Sequence, residues 1–245
     1  MNPIDPSAAP RVVLVTGAAG LLGAAVADSF WQAGWQVFAG WHVQPPGSRP
    51  ERWTPLALDV TSTAAMDRAF DALAARAGRL DAVVNTVGMV RDAVLPRLEV
   101  EDWRAVLEVN LGGARRVLAG AVRMMWRQPR EGGHLIQAGS FAGRGGGAGQ
   151  SAYAAAKAGL VGLVQSLARE GAARNVRVNL VWPGVMAGPL TRPLAPEALG
   201  RLVAANLLGR LNDPAEVAAF LRHLAGMQNV SGQVFNLDSR PVPWA

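Results

Sequence analysis

Arg11-Val12-Val13-Leu14-Val15-Thr16, running straight into Gly17-Ala18-Ala19-Gly20-Leu21-Leu22-Gly23, is the stretch that decides the fold. After Arg11 the first part is uncharged and rich in valine, the composition of a strand buried on both faces. Leu21 to Ala33 then reads as an apolar helix. Glycines at the join let the backbone turn tightly and approach a pyrophosphate, whose charge would face the helix amino terminus. Three glycines alone would also suit a plain tight turn, so their weight comes from what flanks them.

Outward from that turn the pattern repeats to the end of the chain. Gln36–Trp41, Pro55–Leu58, Asp81–Asn85, His134–Ala138, Val176–Trp182 and Gln233–Leu237 read as strands. Thr63–Ala77, Glu101–Trp126, Ser151–Ala173, Pro196–Asn206 and Pro214–Ala225 read as helices. Apolar strands alternating with helices predict an α/β fold: one doubly wound (Rossmann) domain over 11–245, with a parallel sheet of seven strands. Residues 1–10 form a tail. No Pro/Gly-rich linker or repeat period divides the pattern. In such sheets ligands bind beyond the carboxyl ends of the strands, where the chain order reverses.

Of the 245 residues half are hydrophobic and 17% charged, enough for a large core and inconsistent with disorder. The absence of cysteine excludes disulfides and thiolate metal sites but leaves the compartment open. No metal site is expected. The net charge is +6, yet the arginines are scattered and Arg115-Arg116 is their only adjacent pair. No nucleic-acid partner is expected; a mild attraction to anionic substrates is. Met1 to Pro10 lacks the pattern of a signal peptide, and the uncharged run Val12–Ala27 is short for a membrane span. The expectation is a soluble, cytoplasmic protein.

Tyr153 is the only tyrosine, and Lys157 is the only lysine among 24 basic residues. Four residues apart on a helix, they share a face. A phenol beside an ammonium is a proton donor whose ionised form is stabilised, so its pKa should fall. The plainer alternative is a half-buried Tyr stacked on a Lys stem.

With the glycine turn and this pair in view, the chain resembles the short-chain dehydrogenase/reductase family from Val12 to Asp238, in its compact single-domain branch. The resemblance implies a nicotinamide cofactor held by Gly17, Gly20, Leu22 and Gly23, by Trp41 and His42 after the second strand, and by Asp59-Val60 at the adenine. It adds Asn85 and Gly88 of Asn85-Thr86-Val87-Gly88, Pro183-Gly184 after the sixth strand, and Tyr153 with Lys157 at the nicotinamide ribose. It implies a catalytic set of Asn110, Ser140, Tyr153 and Lys157, with Ser140 at the family spacing of 13 residues before Tyr153. Asn110 would support a water in the proton relay. Each has a duller alternative: Asn85 a turn residue, Asn110 a surface amide, Ser140 a cap.

A narrower likeness runs through Arg91-Asp92-Ala93-Val94-Leu95, Trp103, Gly139–Gly143 with Gly149-Gln150, and Gly209-Arg210-Leu211. These look like bacterial 3-oxoacyl-(acyl-carrier-protein) reductases and acetoacetyl-CoA reductases. That likeness implies reduction of a 3-oxoacyl thioester, with Gln150, Arg127, Arg130 and Arg174 at the substrate or carrier, and a homotetramer (or homodimer) built on the two long helices and the last strand. Val242-Pro243-Trp244 would suit a subunit contact. No Asp or Glu lies between Asp28 and Glu51, and Arg49 and Arg52 are near, which favours NADP(H) over NAD(H). Two departures stand out. Leu21 occupies the branch's usual glycine position, with Gly20 carrying it instead. Gly188 stands where a Thr touches the nicotinamide carboxamide, so that interaction is absent unless Thr191 supplies it. The glycine-rich run Gly143–Gly149 reads as a lid or mouth that orders on cofactor binding, or as an unconstrained solvent loop. The rival activities are dehydrogenation of a sugar, steroid or polyketide alcohol, and non-catalytic NADP(H) sensing.

Overall fold

Val12–Thr16 and Val176–Trp182 are buried at every position, as strands covered on both faces must be. In the computed structural model, which describes residues 9–128, 132–189, 191–192 and 194–241, these are β1 and β6. With β2 (Gln36–Trp41), β3 (Trp53–Ala57), β4 (Ala82–Asn85), β5 (Gly133–Ala138) and β7 (Val234–Asn236) they form one seven-stranded sheet. Its order is β3-β2-β1-β4-β5-β6-β7, and every neighbouring pair is parallel. The order reverses between β1 and β4, and in such sheets a ligand binds above the carboxyl ends at that point.

The helices are α1 (Leu21–Gln32), α2 (Thr63–Ala77), α3 (Val100–Leu107), α4 (Gly113–Arg127), α5 (Ala142–Gly145), α6 (Ser151–Gly171), α7 (Pro196–Ala204) and α8 (Pro214–Gly226). On one face Phe70, Leu73, Leu118 and Leu160, from α2, α4 and α6, pack on the sheet. On the other, Val26, Phe30, Val217 and Leu221, from α1 and α8, do the same. A fully buried Leu or Phe in such a layer contributes about 1.5–3 kcal/mol. With both faces covered, the strand edges and loops are what remain for a ligand.

Three expectations are adjusted. The third strand is Trp53–Ala57, beginning two residues before the expected Pro55–Leu58; it is the edge strand, where the missing N–H of Pro55 is tolerated. The helix expected over Glu101–Trp126 is interrupted by a π-helical segment, Glu108–Gly112, between α3 and α4. Asn110 fills that widened turn, donating to the Val106 carbonyl one turn back at 2.9 Å. The helix after Pro196 ends at Ala204, two residues before Asn206. Arg130, residues 1–8 of the tail and Val242-Pro243-Trp244 lie outside the described residues. Among the described residues no helix is long and apolar enough to cross a membrane, and no cluster of His, Asp and Glu could hold a metal ion.

Candidate active site

The glycine turn is built for close approach. Gly17 has φ +72°, and a Cβ on Gly23 would stand 2.0 Å from the Gly17 carbonyl oxygen, so only glycine fits there. The Gly20 N–H bonds that same carbonyl at 2.9 Å, and Ala18 N–H bonds Gly40 O at 2.9 Å. Leu22 is buried beneath the turn. The first turn of α1 carries no acidic residue, and no side chain caps it. Its free N–H groups and the positive end of the helix dipole suit an anion, so this cradle fits a dinucleotide pyrophosphate.

A polar chain crosses the sheet beside it. Thr16 Oγ1 donates to Asn85 Oδ1 at 2.5 Å, and Asn85 Nδ2 donates to Gln137 Oε1 at 2.8 Å. Gln137 Nε2 donates to the Ala138 carbonyl at 2.9 Å. That carbonyl also accepts from Lys157 Nζ at 3.3 Å. Three side chains in register on β1, β4 and β5 thus end on the oxygen that holds the lysine.

Lys157 is 3% exposed, and burial lowers its pKa from the ordinary 10.5 to about 8. Its ammonium lies 5.4 Å from the centroid of the Tyr153 ring, over the ring face. A Cβ on Gly88 would meet both Asn110 Oδ1, at 3.2 Å, and Lys157 Nζ, at 3.5 Å, so the bare glycine leaves an approach to the amine. The Asn110 amide is tied down: it donates to Met89 O at 2.7 Å and accepts from Met89 N–H at 3.3 Å. Ser140 Oγ accepts from Ala142 N–H at 3.2 Å and interacts with the Tyr153 phenol. Asn110, Ser140, Tyr153 and Lys157 are therefore gathered at the carboxyl ends of β4 and β5.

The expected acidification of Tyr153 is not what this environment does. Burial raises the phenol above its ordinary value, the Ser140 hydroxyl works against that, and the Asp92 carboxylate adds to the rise. The ammonium lies over the ring face, where it favours the neutral aromatic as well as any phenolate. Desolvation wins.

A short chain dehydrogenase family model matches residues 11–199. The chain belongs to the short-chain dehydrogenase family. It is similar to a 3-oxoacyl-[acyl-carrier-protein] reductase, FabG, of Thermotoga maritima, 36% identical over 238 residues and covering 93% of this chain and 96% of that protein. A Vibrio cholerae protein of the same name is 35% identical over 236 residues, with the same coverage. Carbonyl reductase family member 4 of Danio rerio is 40% identical over 183 residues, 75% of each chain. The chain is accordingly an oxidoreductase of the short-chain dehydrogenase type, a family that uses nicotinamide cofactors.

Around this core of the dehydrogenase, Trp41 ends β2, and the exposed His42 Nε2 lies 3.7 Å from Asp59 Oδ2. The Asp59 carboxylate accepts from the Thr61 hydroxyl at 2.7 Å and the Thr61 N–H at 2.9 Å, and the hydroxyl bond is the main reason its pKa is lowered. Val60 is buried, its carbonyl held by Arg116 at 3.2 Å. Gly184 has φ +79°, and Asn212 Nδ2 holds the Pro183 carbonyl at 2.9 Å. The Thr191 hydroxyl donates to Met186 O at 2.9 Å and accepts from Gly188 N–H at 2.9 Å, which ties it to the segment that carries Gly188. Gln150 Nε2 reaches Asp92 at 3.3 Å, and Gly149 O takes the Ala93 N–H at 2.9 Å, so the glycine-rich loop is fastened to that segment.

Two sets of arginines lie by the starts of strands. Arg49 pairs with Asp28 at 2.6 Å and lies 5.3 Å from the Trp53 ring, while Arg52 pairs with Glu51. Trp53 opens β3, at the amino edge of a parallel sheet, away from the site. Arg127 ends α4, and Arg174 donates to the neighbouring Trp126 carbonyl at 3.3 Å. Both precede strands that begin at the amino edge, opposite Tyr153, so one chain does not bring them to its own site mouth. Gln137 and Thr16 join the site without having been expected there. Their only signal in the sequence is polarity inside otherwise apolar strands.

Proposed function

We propose that this dehydrogenase reduces the carbonyl of a 3-oxoacyl thioester to the secondary alcohol with NADPH. What carries the reading is the placement of the sole tyrosine and sole lysine beside Ser140, at the sheet edge that holds an anion-binding glycine turn. Relatives named for 3-oxoacyl-carrier substrates, aligned over nearly the whole chain, supply the substrate class.

Gly17, Gly20, Leu22 and Gly23 would take the pyrophosphate, Trp41, His42, Asp59 and Val60 the adenosine end, and Asn85, Gly88, Pro183 and Gly184 the path to the nicotinamide. The bound cofactor supplies the hydride. Tyr153, kept neutral by burial, gives its proton to the carbonyl oxygen. Ser140 donates to the same oxygen as charge builds on it. Lys157, with donors left over after Ala138, holds a ribose hydroxyl and stabilises the phenolate left by proton transfer. Asn110, locked in the π turn, fixes the Met89 backbone from which a water would resupply the proton. NADPH is favoured over NADH because no carboxylate follows β2 to claim a ribose 2′-hydroxyl; with Arg49 and Arg52 committed elsewhere, the exposed His42 ring is the hydrogen-bonding candidate there. The protein would be cytoplasmic, with domain bounds of 11–245. It would form a homotetramer or homodimer through the groove lined by Trp103, Leu107, Leu111 and Leu163, a reading that light scattering tests.

The test is oxidation of NADPH and of NADH with acetoacetyl-CoA, 3-oxoacyl carrier protein and simple ketones. Fast NADPH oxidation with the thioesters supports the reading; turnover of ketones alone removes the thioester. A second reading, reduction of a substrate carried by no protein, is favoured by one observation: Arg127 and Arg174 lie on the far edge.

A further inference from the structure

Leu21 and Gly188 belong to opposite sides of the cleft, yet are fitted to each other. Leu21 opens α1, directly after the glycine turn of β1; Gly188 lies in the segment after β6. β4 and β5 stand between those strands in the sheet. The segment after β6 therefore reaches back across three strand spacings, roughly 14 Å of sheet edge, to meet α1. A Cβ on Gly188 would stand 2.6 Å from Leu21 Cδ2, closer than real atoms approach. Any larger residue at 188 would have to push the leucine aside.

Neither partner looks accidental. Leu21 is 40% exposed, an apolar side chain set at a turn otherwise made of backbone N–H groups. The segment bearing Gly188 is braced: Arg192 N–H bonds Gly188 O at 2.8 Å, Thr191 ties Met186 to Gly188, and Asn212 N–H bonds Val185 O at 2.7 Å. The leucine is the softer side of the contact. A dinucleotide running from the glycine turn to Tyr153 beyond β5 must pass this crossing.

We propose that Leu21 and Gly188 are a size-matched pair that closes over the pyrophosphate of the bound nicotinamide dinucleotide and limits how fast it leaves. The proposal rests on the nicotinamide reading above. An apolar cover there excludes water from the phosphate–backbone hydrogen bonds, which strengthens them. Its open or closed state depends on how much volume positions 21 and 188 share.

The test is a double-mutant cycle of Leu21→Gly, Gly188→Thr and the double variant. NADPH and NADH affinity is read by fluorescence titration, release by stopped-flow chase, and the cofactor-free proteins by thermal unfolding. Gly188→Thr should weaken binding at least about tenfold while barely moving the melting temperature, because the threonine pushes the exposed, flexible end of Leu21 out of the volume they share. Leu21→Gly should speed release about five- to tenfold, and the double variant should return to within about threefold of wild-type affinity. Additive effects, or normal binding by Gly188→Thr, would overturn the pairing. Should the threonine variant not fold, Gly188→Ala and the release rate of Leu21→Gly still decide it: unchanged release refutes closure. Wild-type protein that binds neither NADPH nor NADH would instead sink the cofactor reading, and the pair with it.

Discussion

Replacing Lys157 with methionine should make the cofactor-free protein more stable while abolishing its activity. Lys157 is 3% exposed, and burial takes its pKa from 10.5 to about 8. Holding the ammonium there at neutral pH disfavours the folded state by about 3 kcal/mol, from the free energy per pKa unit. Its hydrogen bond to the Ala138 carbonyl offsets about 1–2 kcal/mol of that. That carbonyl keeps a partner in Gln137, so the uncharged methionine leaves no orphan. The net expectation at pH 7 is a gain of about 1–2 kcal/mol, or a few degrees in melting temperature for a chain of this size. The sign with pH is set by a depressed folded pKa. Below pH 8 both folded and unfolded chains carry the ammonium and the full penalty applies; from 8 to 10.5 the folded chain sheds its proton first and the penalty fades. Urea unfolding of both proteins without cofactor, at pH 7 and pH 10, checks this. A methionine variant that is less stable at pH 7, or a difference that does not shrink by pH 10, refutes the idea that the site stores an unfavourable buried charge.

Other outcomes follow from single residues. His134 is fully buried, and burial lowers its pKa to about 3, so stability present above its unfolded value of 6.5 is lost as pH falls. Denaturant midpoints should register about 2 kcal/mol of that loss by pH 5, and His134→Gln should flatten the slope. Gly23→Ala drives a methyl into the Gly17 carbonyl; cofactor binding, followed by fluorescence, should fall beyond detection while the far-ultraviolet circular dichroism keeps its helical shape. Gln137→Leu leaves the Asn85 amide without its acceptor, which should cost about 1–3 kcal/mol in urea unfolding and raise the KM for cofactor more than a surface substitution does.

Most of the architecture can be read from the residues because its signals are local. Valine runs such as Val12–Thr16 and Val176–Trp182 are explicit about burial, and glycine between strand and helix is explicit about the turn. Asn110 is legible as a position but not as a geometry, since a π turn arises from how Glu108 to Gly112 pack rather than from any one residue. Position along the chain says little about which sheet edge a loop returns to. Arg49 and Arg52 are close in sequence to the end of β2, yet the chain carries them to the start of β3, where Asp28 and two tryptophans hold Arg49. The direction of the Tyr153 pKa escapes the sequence for a similar reason. Helical spacing reports that a cation is near; it does not report how much water has been removed, and here the loss of water outweighs the Ser140 hydrogen bond.

Turnover by Tyr153→Phe, with NADPH binding followed in the same samples, bears most directly on the claim that this phenol delivers the proton. The variant should bind NADPH within about threefold of wild type while acetoacetyl-CoA reduction falls by roughly 10²–10⁴, the usual worth of a positioned general acid. Reduction at close to the wild-type rate would show that the proton comes from elsewhere.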